Sequence, residues 1–432
     1  MKDRPFIYGL DEHPPLFKGL LYGLQWVMIT IPNVMIFSSL CSGALGLSPE
    51  GQISYSQRLL VVIGAMNILQ SLKGHRFPVL EGPSSAVLLS FIVLAPQGLS
   101  VIEGGMIFGS LLLVLLGAFK GFKRLSPLFT PNVIGVILML VALTLLPFIT
   151  PMLIGTGKAH PHGDLGTFVS SIAIMLFVSI LSHWVGGFFQ TVSMLAGILF
   201  GLILYLGQGK VSLTMVGASP WFSLPSPFVG VWPTLSIPAM LSMVFTYLAV
   251  MINTVGSIQG ISEIVGKEKI EDRMNRGICM TGVGGLLSSF FGVAGLVSVS
   301  ISTGVVLVSR VASRFVLTMS GGLMILCAFI PKLWALLTVI PSSVIGAVLF
   351  VTLATQLVAG MNVILSKKRE LERREYFSIG LPLLLGGAVS ILPKPFFQFI
   401  PESISSLASN GLVVGLCFSI FSEHLLFRAR KK

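Results

Sequence analysis

One phrase occurs twice in this 432-residue chain. Thr130-Pro131-Asn132-Val133-Ile134-Gly135-Val136-Ile137-Leu138 returns as Pro341-Ser342-Ser343-Val344-Ile345-Gly346-Ala347-Val348-Leu349, displaced by 211 residues, about half the chain. A period of that size marks one module used twice. The first copy follows a basic loop at Lys123, and the second precedes a basic run that begins at Lys367. If basic loops stay in the cytoplasm, the same phrase crosses the bilayer in opposite directions, which requires an odd number of spans in each copy.

The composition agrees with a bilayer. With 54% hydrophobic residues, 10% charged residues and a mean hydropathy of +0.93, the chain lies far from a soluble globule, in which about 25% of residues are charged. Apolar runs separated by charged or Pro/Gly-rich breaks number about fourteen, several shorter than the roughly 20 residues of a straight spanning helix. They cover residues 19–43, 57–72, 84–95, 101–119, 128–149, 167–184, 188–206, 235–258, 277–291, 295–308, 313–330, 334–365, 376–392 and 409–427. Seven per half produce the inversion. The net charge of +12 is distributed between these runs and not gathered on a soluble face, so it marks topology and no nucleic-acid partner is expected.

Placing both termini in the cytoplasm puts Lys2, Arg4, Lys73, Arg76, Lys120, Lys123, Arg124, the Lys267–Arg276 loop, Arg310, Arg314, the Lys367–Arg374 run and the tail from Arg428 inside. Arg58, Lys158, Lys210, Lys332 and Lys394 are left outside, and that asymmetry supports an even span count in the cytoplasmic membrane. The first 17 residues carry five charges and no apolar core, so no cleaved leader is expected. Cys41, Cys279, Cys327 and Cys417 lie apart in apolar runs and read as packing residues. No cofactor or metal site is expected; His160-x-His162 is too sparse for one.

Residues 295–306 alternate serine with aliphatic residues. Period two suits an extended strand, whose backbone groups lipid cannot satisfy, so the segment must line protein or a watery cavity. Subtracting 211 leads to the short run at 84–95. Short segments at matching positions of inverted repeats point to a transporter's binding site; alternatively, both are small Gly/Ser-rich helices packed closely together.

Several phrases together resemble the nucleobase–ascorbate transporters, also called the nucleobase:cation symporter 2 family, along nearly the whole chain. They are Gly23-Leu24-Gln25, Gly82 to Ser85, Leu128-Phe129-Thr130-Pro131 with Gly135, Phe290-Phe291-Gly292, and Ile340-Pro341 with Gly346. In the family's motif of segment ten, Gly304 and Arg310 match, Ser309 nearly matches, and Ile301 and Ser302 depart. In segment eight, the acid of bacterial members is replaced by Asn253 within Asn253-Thr254-Val255-Gly256-Ser257. An amide hydrogen-bonds a ring edge but cannot carry a proton. The resemblance implies an all-α polytopic membrane protein of 14 segments in 7+7 inverted repeats, with two short antiparallel strands in segments 3 and 10. It also implies a core domain (1–125 and 216–331) moving against a gate domain (126–215 and 332–432), and a homodimer.

The candidate substrate residues follow. Ser84, Ser85 and Ala86 match the family's strand of segment three, and Val299, Ser300, Ile301 and Ser302 that of segment ten. Asn253 and Ser257 share a helical face, and serve either a heterocycle edge or interhelical bonding. Asn33, beside Pro32 in segment one, marks either a freed backbone carbonyl or a simple kink. Glu81 is the acid beside a short strand; it either couples transport to H+ or Na+, or caps the strand entry or pairs with Arg76 near the cytoplasmic surface. Glu103, Glu263 and Glu423 fall near span ends, where solvation is expected.

These features predict a carrier for a uracil- or xanthine-like nucleobase, coupled to a cation. An anion carrier of the sulfate or bicarbonate type is the alternative on the same architecture. An intramembrane enzyme would need a nucleophile–base pair, paired acids or a metal cluster at depth, and the sequence offers none.

Overall fold

Proline and short polar side chains set where the helices begin. The computed structural model describes residues 6–157, 160–185, 192–212, 214–225, 232–366 and 370–427. Ser48 ahead of Pro49 accepts the Gly51 N–H and opens α2 (Pro49–Leu72) after α1 (Leu16–Ala44). Strand β1 (Glu81–Pro83) leads into α3 (Ser85–Leu94), followed by α4 (Leu99–Ala118). Thr130 caps Val133 N–H at the start of α5 (Pro131–Leu153), and Asp164 caps Thr167 N–H at α6 (Leu165–Trp184). Helix α7 (Ser193–Gly207) ends the first half. The second half holds α8 (Ile237–Val265), α9 (Ile270–Phe290), β2 (Leu296–Ser298), α10 (Ser302–Ser309), α11 (Arg314–Ala328), α12 (Ser342–Leu365), α13 (Arg373–Ile391) and α14 (Gly411–Phe421). Lys2, Arg4, Lys158, residues 188–191, Lys367 and the tail from Arg428 lie outside the described residues.

Among the described residues, six helices (α1, α4, α5, α6, α8 and α12) are long and apolar enough to cross a membrane. Their packing has a recurring pattern. Helix α4 packs on α9 and α8, while α2 and α1 pack on α11. Elsewhere α5 packs on α12, α13 and α14, while α12 packs on α6 and α7. Glycines allow these close crossings. A Cβ on Gly135 would lie 2.6 Å from the Gly360 carbonyl oxygen, and one on Gly360 would lie 2.7 Å from that of Gly135. Gly346, the repeat partner of Gly135, meets the Met152 side chain at 2.9 Å. Gly64 and Gly321 oppose each other in the same way between α2 and α11. Backbone-to-backbone approach of this kind replaces the hydrophobic drive that lipid withholds.

The two strands are antiparallel, with Glu81 opposite Ser298, Gly82 opposite Val297 and Pro83 opposite Leu296. They are shorter than the period-two pattern predicts. Residues 84–95 are not a strand: Ser84 is the N-cap of α3, and Ser85 and Ala86 form its first turn. In the second half the extended stretch stops at Ser298, and α10 begins at Ser302. The serine alternation therefore runs through a strand, a turn and a helix start, because a serine near a helix start can hydrogen-bond backbone groups there.

Other expectations also shift. The 334–365 run is broken, with a short helix at Pro331–Thr338 and then α12 after Pro341, since the residue before a proline is held out of helical conformation. Helix α1 passes unbroken through Pro32. Glu103 and Glu423 are buried, at 3% and 7% exposure, and Arg58, expected outside, is buried at 5%. Glu423 receives the Asn132 amide at 3.2 Å, and the same amide donates to Glu375 at 3.0 Å. Glu263 is solvated as expected and pairs with Lys267 at 2.7 Å.

Candidate substrate site at the strand crossing

Five backbone and side-chain bonds hold the crossing together. Ser84 N–H donates to Gly295 O at 2.9 Å, and Val299 N–H donates to Leu80 O at 2.8 Å, closing the two-strand ladder at both ends. Leu80 N–H reaches the Ser302 hydroxyl at 2.9 Å, and that hydroxyl donates to Val299 O at 2.6 Å. Ser257 on α8 donates to Ser298 O at 2.7 Å. The hydroxyls of Ser257 and Ser302 are thus committed to the backbone of the strands, and both residues are buried.

The remaining candidates divide by exposure. Ser84 and Ala86 are buried, Ser85 half-buried; the Ser84 hydroxyl accepts Val87 N–H at 3.4 Å. Val299 is half-buried, while Ser300 and Ile301 are exposed. Among the described residues, the N–H groups of Ser85 and Ala86 on α3, and of Ser300 and Ile301 ahead of α10, meet no acceptor. Two helix starts with free N–H groups and positive dipole ends therefore meet at one crossing. Such ends favour carbonyl oxygens or anions.

Asn253 lies one turn from Ser257 on α8, half-buried, and its amide has no partner among the described residues. Gly256 and Gly260 share its face by helical spacing. A Cβ on Gly256 or on Gly304 would meet nothing within 4 Å, and one on Gly260 would lie 3.3 Å from Thr303 Oγ1. Open space thus lies against Gly256, on the helix that carries Asn253, and against Gly304, on the helix that follows Ser300. Asn33 does not offer its amide there: Nδ2 donates to Ile29 O of its own helix at 3.2 Å.

Glu81 is fully buried, and its partner is not Arg76. Ser298 Oγ donates to Glu81 Oε1 at 2.5 Å, and His75 Nε2 lies 3.6 Å from the same oxygen. The backbone of Glu81 is clamped by Asn67, which accepts its N–H at 2.9 Å and donates to its carbonyl at 3.2 Å. Arg76 instead turns back to Leu72 O. His75 is not among the residues singled out from the sequence, although Asn67, Gln70 and Ser71 at the end of α2 and His75 just beyond it cluster polar groups there. That cluster was the available signal. Among the described residues no group of three or more His, Cys, Asp or Glu could hold a metal ion.

Residues 17–395 match the family model Xan_ur_permease, the Permease family. The nucleobase transporter PlUacP of Paenibacillus larvae is 26% identical over 422 residues, covering 96% of each chain. The uric acid permease PucJ of Bacillus subtilis is 26% identical over 427 residues, covering 96% of this chain and 94% of its own. In fold, the chain is similar to the murine anion transporter Slc26a9 in its inward-facing state, with a TM-score of 0.64, 13% identity, and coverage of 95% of this chain and 69% of the other. The matched region spans both strands, both helix starts and α8, and the chain belongs to the xanthine/uracil permease family, the nucleobase–ascorbate transporters, a family of carriers and not of enzymes.

Proposed function

We propose that this membrane protein carries a planar nucleobase, a uracil-, xanthine- or urate-like ring, across the cytoplasmic membrane, coupled to H+ or Na+. The observation that carries the reading is the unpartnered Asn253 amide, one turn from the Ser257 that binds β2, together with two helix starts whose first N–H groups meet no acceptor. An amide both donates and accepts, which suits a ring edge that alternates N–H and carbonyl groups. The N–H groups of Ser300 and Ile301 suit its carbonyl oxygens. The named relatives transport nucleobases or uric acid.

In this reading the chain spans the bilayer fourteen times as two inverted halves, with both termini cytoplasmic. Residues 1–125 and 216–331 form the core, and 126–215 and 332–432 the gate. The two packing groups of the fold support that division. Transport alternates access by moving the core, which carries the strand crossing, against the gate. A homodimer is the assembly expected from the family resemblance.

The anion-carrier alternative draws on the fold shared with an anion transporter and on the two dipole ends. Uptake into proteoliposomes separates them. Labelled uracil, xanthine or urate uptake blocked by unlabelled nucleobases supports the proposal; flux sensitive to sulfate or bicarbonate and indifferent to nucleobases defeats it.

A further inference from the structure

A carboxylate and an imidazole, both with 0% exposed side chains, lie behind the strand crossing. Glu81 belongs to β1 itself, opposite Ser298. One of its oxygens accepts from Ser298, and the other, Oε2, has no hydrogen-bond partner. His75 Nδ1 accepts the Phe77 backbone N–H at 3.0 Å. That bond fixes the tautomer: an acceptor at Nδ1 leaves the ring proton on Nε2, which faces Glu81 Oε1 from 3.6 Å and has no other partner. A doubly protonated ring would set an Nδ1–H against the Phe77 N–H. It would also place a cation beside Arg273, whose guanidinium donates to His75 O at 3.3 Å and to Arg76 O at 2.7 Å.

We propose that Glu81, held by His75 and Ser298, is the coupling site of this carrier, and that the coupling ion is a proton carried on its carboxyl group. This inference rests on the transport reading above and names its ion. A sodium ion needs several oxygens converging on it, whereas the groups turned toward Glu81 Oε1 are an O–H and an N–H donor, which suit a carboxylate. One firm hydrogen bond compensates a buried charge poorly. Deprotonated Glu81 therefore leaves the core charged in a low-dielectric interior, and protonation makes it neutral and free to cross.

Hydrogen bonds tie the pair to the substrate side, and the chain neighbours of His75 line a recess on the other side. Toward the substrate, Glu81 binds the Ser298 hydroxyl, and the Ser298 carbonyl accepts from Ser257, one turn from Asn253. When the proton resides on Oε1, that oxygen becomes a donor, and the Ser298 hydroxyl can accept from it instead. Toward solvent, a recess of about 320 Å³ is lined by Gly74, Arg76, Glu268, Lys269, Asp272, Arg273 and Arg276, and Gly74 and Arg76 flank His75 in the chain. The charged groups of that recess are Arg273, Asp272 and Arg276 from α9, Glu268 and Lys269 from the loop before it, and Arg76 from the segment of the pair; of these, Arg273 binds the His75 carbonyl. From α11, Arg314 binds Ser71 O and Asp11. Helix α8 and strand β2 contribute the hydroxyls of Ser257 and Ser298.

Proteoliposomes holding the full chain give two readouts: counterflow of labelled xanthine or urate without an ion gradient, and accumulation driven by an inward proton gradient. Absence of counterflow in the wild type would defeat the transport reading itself. With counterflow established, Glu81→Gln is expected to lose gradient-driven accumulation at least ~10-fold and to lose its pH dependence, while counterflow survives at a reduced rate. His75→Leu is expected to alter the pH profile of accumulation, and His75→Gln, which keeps an N–H donor, to restore it toward wild type. Accumulation and pH dependence retained in Glu81→Gln would overturn the proposal. So would accumulation driven by a sodium gradient at equal pH, or loss of counterflow together with accumulation in a folded Glu81→Gln protein, which would mark a structural carboxylate.

Discussion

The two helix starts at the crossing occupy equivalent places in the two halves and are built differently. Helix α3 is capped by its own Ser84, its first turn is buried or half-buried, and its strand residue Glu81 is turned inward to Ser298 and His75. Helix α10 has no side-chain cap, Ser300 and Ile301 ahead of it are exposed, and Gly304 looks onto open space. The contrast teaches that two helix starts at one crossing are finished differently by what packs around them. The first start holds a buried carboxylate beside it; the second leaves Ser300 and Ile301 exposed.

Changes on the open side should affect transport more than stability, and changes on the anchored side the reverse. The largest effect is expected from Gly304→Leu, which fills the space beside Ser300: nucleobase uptake falls at least ~10-fold while the melting temperature stays near wild type, since a Cβ there meets nothing within 4 Å. A large loss of stability would show that α10 is packed and not open. Next, Asn253→Ala should raise the KM for uptake about tenfold, the value of one lost hydrogen bond to a buried ring edge of ~1.4 kcal/mol. An unchanged KM would remove Asn253 from the site.

Ser302→Ala tests the boundary between the two sides. Its hydroxyl joins Leu80 N–H to Val299 O, so the variant strands a buried N–H and should lose about 1–3 kcal/mol of stability, with weaker ligand response as a consequence. Thermal unfolding in detergent measures the first and a thermal-shift panel of nucleobases the second. A variant as stable as wild type that fails to respond would make Ser302 a direct ligand. The smallest effect is expected for Ser84→Ala, which removes an N-cap worth about 0.5–2 kcal/mol and should leave KM within about twofold, because no exposed group moves. A larger KM change than that of Asn253→Ala would reverse the roles assigned to the two helix starts.

Much of the fold was legible because its causes are local or periodic. Thr130-Pro131 and Ser48-Pro49 open helices in any context, since cap and proline act within one turn. The repeat of Gly135 at Gly346 marked the half-chain period, and both glycines sit at close helix contacts. The extent of the strands was not legible. Period two at Ser298, Val299, Ser300, Ile301 and Ser302 continues past the last paired residue, because serine serves a strand face, a turn and a helix start equally well. Nor was the destination of Glu81. Arg76 is its near neighbour in the chain, but the actual partners are Ser298, from the other half, and His75. Glu103 and Glu423 are buried, against the expectation of solvation, for the same reason: position along a span does not reveal what packs over it.

The sequence by itself determined that this chain lies in a membrane, that one phrase recurs at half its length and that two short segments interrupt the apolar pattern. Hydrophobicity, repetition and turn chemistry are written residue by residue, so they can be read before anything folds. Only the tertiary structure decided which serines are spent on backbone, which amide is left without a partner and where the buried carboxylate points. Those outcomes depend on contacts between residues more than two hundred positions apart, such as Glu81 with Ser298, and close packing settles them by geometry that no local pattern encodes.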